Sequence, residues 1–208
     1  MSGNENGSAP GHEEHGGGKK QNEKTMSAQT YLRFAAMILT GMVIMYAVMF
    51  AGSWEWGHIQ FSQSRVFMAL TMGGAMGLVM LAWMLNMYRS WKANVAVIGV
   101  SVLLIAGGIV LDRTQATVDD TSFMRAMIPH HSLAITRSER AQLADIRVCE
   151  LAVEISEAQR REIWEMEWLI QDIEANGVAS TAAEADARAV PEYAEPAART
   201  CEGQSATE

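Results

Sequence analysis

Charge is missing from three long stretches of this sequence. Residues 34–54, 66–88 and 93–111 contain no Asp, Glu, Lys or Arg, in runs of 21, 23 and 19 residues. A bilayer core takes about 20 apolar residues at about 1.5 Å rise per residue, so each run predicts one spanning helix. Buried helices of a soluble protein rarely go several turns without a charge, which argues against that class. The edges agree, because Arg33, Glu55, Arg65, Arg89, Lys92 and Asp112 bracket the runs. Tyr31, Trp54, Trp56, Tyr88 and Trp91 stand where interfacial aromatics belong.

Lysine is scarce too, and its placement is one-sided. The chain has Lys19, Lys20, Lys24 and Lys92 and no other lysine. With Arg33 and Arg89 these mark the N-terminus and the 89–92 loop as cytoplasmic, against Arg65 alone between the first two spans. Three spans then put the C-terminal part outside, in the periplasm of a bacterial inner membrane. Residues 112–208 carry 19 acids against 9 arginines, a formal net of −10, which argues against nucleic acid as a partner. No short apolar run with a cleavage site opens the chain, so no removable signal peptide is expected. Nucleophile motifs, phosphate-binding glycine loops and ionisable residues inside the spans are all missing, which points away from an enzyme or ion pump. Cysteine is limited to Cys149 and Cys201, both on the oxidising side. Spacing leaves open a disulfide tying the tail to a helix, or a free Cys149 thiol near a metal.

Methionine is plentiful. Met68, Met72, Met76, Met80 and Met84 recur every four residues in the second span, and Met37, Met42, Met45 and Met49 lie in the first. Thioethers suit Cu(I), yet methionine also fills gaps in helix packing, and Gly73-x-x-x-Gly77 beside the row is a helix-contact motif. Outside the spans, residues 1–30 and 178–208 have the composition of flexible tails, and residues 112–177 predict a helical hairpin domain. Its first helix runs from about Asp119 to Ala141. The second runs from Asp145 to Ala175 and stops at Asn176-Gly177. Positions 148, 152, 155, 159, 162, 166, 169 and 173 make a heptad seam interrupted by Gln159 and Glu162. On the first helix Asp120, Met124, Met127, His131, Ala134 and Ser138 step likewise, with His130 at the edge and Pro129 predicting a kink. Folding the hairpin about 142–145 sets Met124 and Met127 level with Gln159, Glu162 and Met166. Thioethers, imidazole and a carboxylate would then converge, a set that suits Cu(I) better than magnesium or calcium. The same methionines are also what an ordinary core contains.

The run Asp120-Thr-Ser-Phe123, Met127-Ile-Pro-His-His131, Ala134-Ile135, Gln159, Glu162-Ile163, Met166 and Trp168-Leu169 resembles the bacterial domain of unknown function 305 family over residues 118–174. That resemblance implies a ferritin-like helical fold and an exported or membrane-anchored protein, with several relatives associated with copper or silver binding. It makes Met127, His130, His131, Glu162 and Met166 the leading ligand candidates, with Met124 and Asp120 beside them. Arg137 stands where many relatives carry methionine.

The expectation is an all-α chain of three transmembrane helices and a periplasmic hairpin. A hairpin of under 60 residues needs a further layer to bury its seam, which a homodimer would supply as a four-helix bundle. The expected role is membrane-anchored copper binding as Cu(I), in metal tolerance or buffering, with the lipid bilayer and copper-handling proteins as partners. The alternative is a non-metal module whose hairpin docks a partner protein.

Overall fold

A computed structural model describes residues 16–193 and 199–201, with residues 16–27 described by their backbone. Among the described residues the chain is all-helical, without strands. In order come α1 (Gly16–Val48), a 3-10 turn (Trp56–His58), α2 (Gln63–Trp83), α3 (Trp91–Thr114), α4 (Asp120–Arg140), α5 (Ile146–Asn176) and α6 (Ala182–Ala187). Three segments are long and apolar enough to cross a membrane: Ala28–Val48, Gln63–Trp83 and Trp91–Thr114.

Small residues let the spans approach. A Cβ on Gly73 would collide with the Met42 thioether of α1, and one on Gly74 or Gly77 would collide with Ser101 of α3. Gly108 of α3 meets Thr71 in the same way. This is how the glycine motif of the second span packs. The methionine row divides around the helix. Met76, Met80 and Met84 pack with Met42 against Phe34, Ile38, Leu81 and Tyr88, while Met68 and Met72 stand outside that cluster and are exposed.

Three boundaries differ from those read off the sequence. The first span ends at Val48, and residues 49–62 form a loop that leaves the bundle. Absence of charge cannot separate a span from an apolar loop, and the short turns at Met49–Ser53 end the helix. The second span ends at Trp83, its cap N–H bonding back to Met80 and Leu81. At the N-terminus α1 begins at Gly16, inside the tail assigned to residues 1–30, whose first 15 residues lie outside the described ones. Extending an existing helix avoids the nucleation penalty, and Lys, Gln and Glu are good helix formers, so the span propagates backward.

Asp119 caps α4 and Asp145 caps α5 through their carboxylates. Gly177 ends α5 at φ 79°, a left-handed conformation that suits glycine. Of the tail assigned to residues 178–208, residues 194–198 and 202–208 lie outside the described ones, and the described part is held. Thr181 and Glu184 form a capping box on α6, Arg188 pairs with Asp172 at 2.6 Å, and the Tyr193 ring meets that of Trp164 at a tilt, 5.8 Å between centroids. A Cys149–Cys201 disulfide returns the chain to the start of α5, where Arg199 reaches the Ala141 carbonyl. Of the two fates left open for Cys149, the structure takes the crosslink.

Candidate functional site

The hairpin α4–α5 is antiparallel, but its register differs from a symmetrical fold about the turn. Arg125 pairs with Glu174, His131 faces Glu162 at 3.5 Å, and Arg160 pairs with Glu139 at 3.2 Å. Residues 141–145 are non-helical, with extended backbone at Ala141 and Asp145. At about 3.3 Å per extended residue against about 1.5 Å in a helix, five such residues span roughly ten helical ones. The start of α5 therefore overhangs the end of α4, and Met124 and Met127 do not sit level with Gln159.

The seam is rotated as well. Buried positions on α5 are Cys149, Ala152, Ser156, Ile163, Met166 and Ile170, while Val148 and Ile155 are exposed. The rotation follows from two features that hydrophobic periodicity cannot see. One is the disulfide at Cys149. The other is the buried Glu139–Arg160 pair, whose carboxylate also accepts from Ser156 Oγ. On α4 the buried residues are Met124, Ile128, Pro129, Ser132, Ile135 and Ser138, and the helix runs unbroken through Pro129.

A third layer covers the hairpin within the same chain. Trp54, from the loop after α1, packs on the core of Met124, Ile128, Ile135, Ile163, Met166 and Ile170. The guanidinium groups of Arg140 and Arg160 lie over its ring at 5.4 and 5.2 Å. Its backbone N–H donates to Ser132 Oγ at 2.7 Å, and the same oxygen stands 2.9 Å from His58 Nδ1. Glu55 approaches the other ring nitrogen at 3.9 Å, so serine, imidazole and carboxylate stand in a row. Ser132 has no exposed surface, which leaves its hydroxyl closed to a substrate; the row fastens the loop. A second fastening joins Gln63 at the mouth of α2 to Ser122 and Thr117.

The candidate ligands divide between two faces of α4. On the seam, Met127 and His131 are one turn apart, opposite Glu162 and Met166, also one turn apart. His131 is largely buried, and its Nδ1 makes no hydrogen bond. Burial, then the neighbouring His130, pushes its pKa down to about 4, so the ring is neutral and keeps a lone pair. Gln159 donates weakly to Glu162 at 3.4 Å. Met127 and Met166 border a cavity of about 880 Å³ with Met124, Leu169 and Ile173. Met124, 6% exposed, belongs to the apolar core. Asp120 is exposed at the far rim of that cavity, away from the His131–Glu162 contact. His130 points off the seam, its ring 6.0 Å from that of His131, into a separate cavity facing the spans. Arg137 is exposed.

Among the described residues no three His, Cys, Asp or Glu side chains form a cluster that could hold a metal. Hard divalent cations, which need several oxygen ligands, are poorly served. Thioethers, with one imidazole and one carboxylate on the same seam, are donor types that softer cations take.

Sequence reasoning missed Trp54, His58, Ser132, Glu139 and Arg160. The serines 132, 138 and 156, small polar residues interleaved with the apolar ones, were the available signal that the helices approach closely there.

Residues 120–205 match the family model described as Domain of unknown function (DUF305). An uncharacterized protein of Acanthamoeba polyphaga mimivirus is 34% identical over 104 residues, covering 47% of this chain and 68% of the relative. No solved structure matches.

Proposed function

Because the chain belongs to the DUF305 family through its C-terminal domain, we propose that it is a membrane-anchored metal-binding protein that holds copper as Cu(I). It acts as a buffer or carrier in metal tolerance. The observation that carries this reading is the largely buried, neutral His131 imidazole, whose Nδ1 faces Glu162 at 3.5 Å without a hydrogen bond, with Met127 one turn before it on α4 and Met166 one turn after Glu162 on α5. A buried nitrogen that faces a carboxylate without a hydrogen bond is costly unless something bridges the two. A cation there would meet a nitrogen, a carboxylate that offsets its charge, and soft sulfurs.

The N-terminus lies in the cytoplasm and the hairpin in the periplasm. Lysine placement supports this orientation, and the Cys149–Cys201 disulfide supports an oxidising compartment for the hairpin.

The test is an anaerobic Cu(I) titration of the full chain in detergent micelles against a chromophoric chelator. Binding at least tenfold weaker in His131→Ala is expected. Equal binding by wild type and His131→Ala would remove the seam from the proposal.

One observation favours a second reading, a docking module. Val148, Leu151 and Ile155 form an exposed apolar row on the overhanging start of α5. A partner protein or a second copy would cover such a row. Charge placed there, as in Leu151→Glu, would abolish docking and leave Cu(I) binding intact.

A further inference from the structure

The second cavity combines parts that the family domain does not contain. It is a half-open cleft of about 320 Å³ between α4 and the ends of the first two spans. Met49 enters from the end of the first span, Met68 from the first turns of α2, and Met127 and His130 from α4. Three methionines and a histidine therefore line one space, with Leu133 and Ala126 as apolar wall. Met127 also borders the larger cavity that holds Met166, so one methionine lies between the two spaces.

Arg65 belongs to the same wall and limits what the cavity can do. Its guanidinium donates to the Met49 carbonyl at 2.7 Å and lies 4.0 Å from the centre of the Phe50 ring. A like charge so close weakens the hold on any cation, and the cavity contains no carboxylate to offset it. A multivalent ion is disfavoured most. A singly charged soft ion held by sulfur is disfavoured least, and it would leave readily.

We infer that Met49, Met68, Met127 and His130 form a second, weaker Cu(I) site at the membrane surface, which exchanges metal with the seam through Met127. This rests on the metal-binding reading of the hairpin and extends it to the spans. The fastenings at Ser132 and Gln63 hold the two halves of the cavity together. Met68, 42% exposed, thereby gains a role that packing does not require.

The experiment uses the full chain in detergent micelles under anaerobic conditions. Cu(I) is titrated against chelators of graded affinity for wild type, Met49→Leu/Met68→Leu and His131→Ala. Leucine keeps the volume and removes the sulfur. The double variant is expected to lose one weak equivalent while the tighter binding stays within twofold of wild type. A titration identical to wild type overturns the site. If His131→Ala alone loses metal, this site fails and the seam reading stands. If the double variant alone loses metal, the seam reading fails and this site stands. No Cu(I) bound by wild type overturns both. Methionine methyl NMR of the wild type with Ag(I) decides the matter independently of whether the variant folds. The Met49, Met68 and Met127 resonances are expected to shift together, and unmoved Met49 and Met68 resonances would overturn the proposal.

Discussion

Ser132 Oγ, on α4, accepts the backbone N–H of Trp54 at 2.7 Å across 78 residues of sequence. This bond joins the loop between the first two spans to the centre of the hairpin, and it lies where no water competes, since Ser132 is fully buried. Ser132→Ala leaves the amide without its partner and should cost about 1–3 kcal/mol. Thermal unfolding would register the loss. Amide exchange at Trp54 should accelerate in the variant while exchange at Ile163 changes in step with global stability only.

Glu139 and Arg160 make the buried ion pair of the hairpin, with side chains 4% and 13% exposed. Removing one partner strands the other charge, so Glu139→Gln or Arg160→Met should each destabilise by about 3–5 kcal/mol. The double substitution should recover much of that. A double-mutant cycle on denaturant melts measures it, and simple additivity would show that the pair is not coupled.

His131 sets a pH dependence of stability. Its pKa falls from 6.5 in the unfolded reference to about 4 in the fold. Between those values the unfolded chain binds the proton and the native chain does not, so stability rises with pH. The contribution is fully present above about 6.5 and is lost as pH falls towards 4. Melting temperature against pH should show a slope in this window that flattens in His131→Asn. An unchanged slope would assign it to other groups.

Much of this architecture can be read in the sequence because bilayer length and charge are strong constraints. The three spans, the hairpin, the Asp119 and Asp145 caps and the Gly177 stop all follow from local rules. What could not be read depends on distant parts of the chain. The hairpin register hangs on how far residues 141–145 extend, which composition does not encode. The seam is turned by Cys149 and by the Glu139–Arg160 pair, so Ile155 lies outside and Ser156 inside. Trp54 looked like an interfacial aromatic, and only the tertiary fold shows it covering the hairpin core. For the site, residue types were legible and faces were not. His130 and His131 are adjacent in sequence, yet His130 borders the cavity facing the spans while His131 faces Glu162 across the seam.

The Cys149–Cys201 bond closes a loop with a sequence separation of 52. Loop entropy gives it about 4 kcal/mol against the unfolded chain. Reduction should therefore lower the melting temperature and release the segment after α6 from the start of α5. Arg199, now held at the Ala141 carbonyl, should become a trypsin site in reduced protein and resist cleavage in oxidised protein. Cleavage at equal rates in both would show that the disulfide does not hold the tail.

Glycines of the spans should respond according to what lies against them. A Cβ at Gly74 would meet the Ser101 carbonyl and the side chains of Ile105 and Leu104, and the carbonyl is backbone that cannot swing aside. Gly74→Ala should push α3 off α2 and lower stability in detergent, with larger residues worse. At Gly99 a Cβ meets nothing within 4 Å, and there the change removes only the entropic penalty of a helical glycine. Gly99→Ala should therefore be neutral or stabilising by up to about 1 kcal/mol. Paired melts of the two variants separate close packing from helix propensity. Displacing α3 leaves Met42 in its slot against Gly73, because that contact lies on the α1 side of α2. The proposed Cu(I) binding, assigned to α4, α5 and the mouth of the first two spans, should then survive in whatever fraction of Gly74→Ala remains folded.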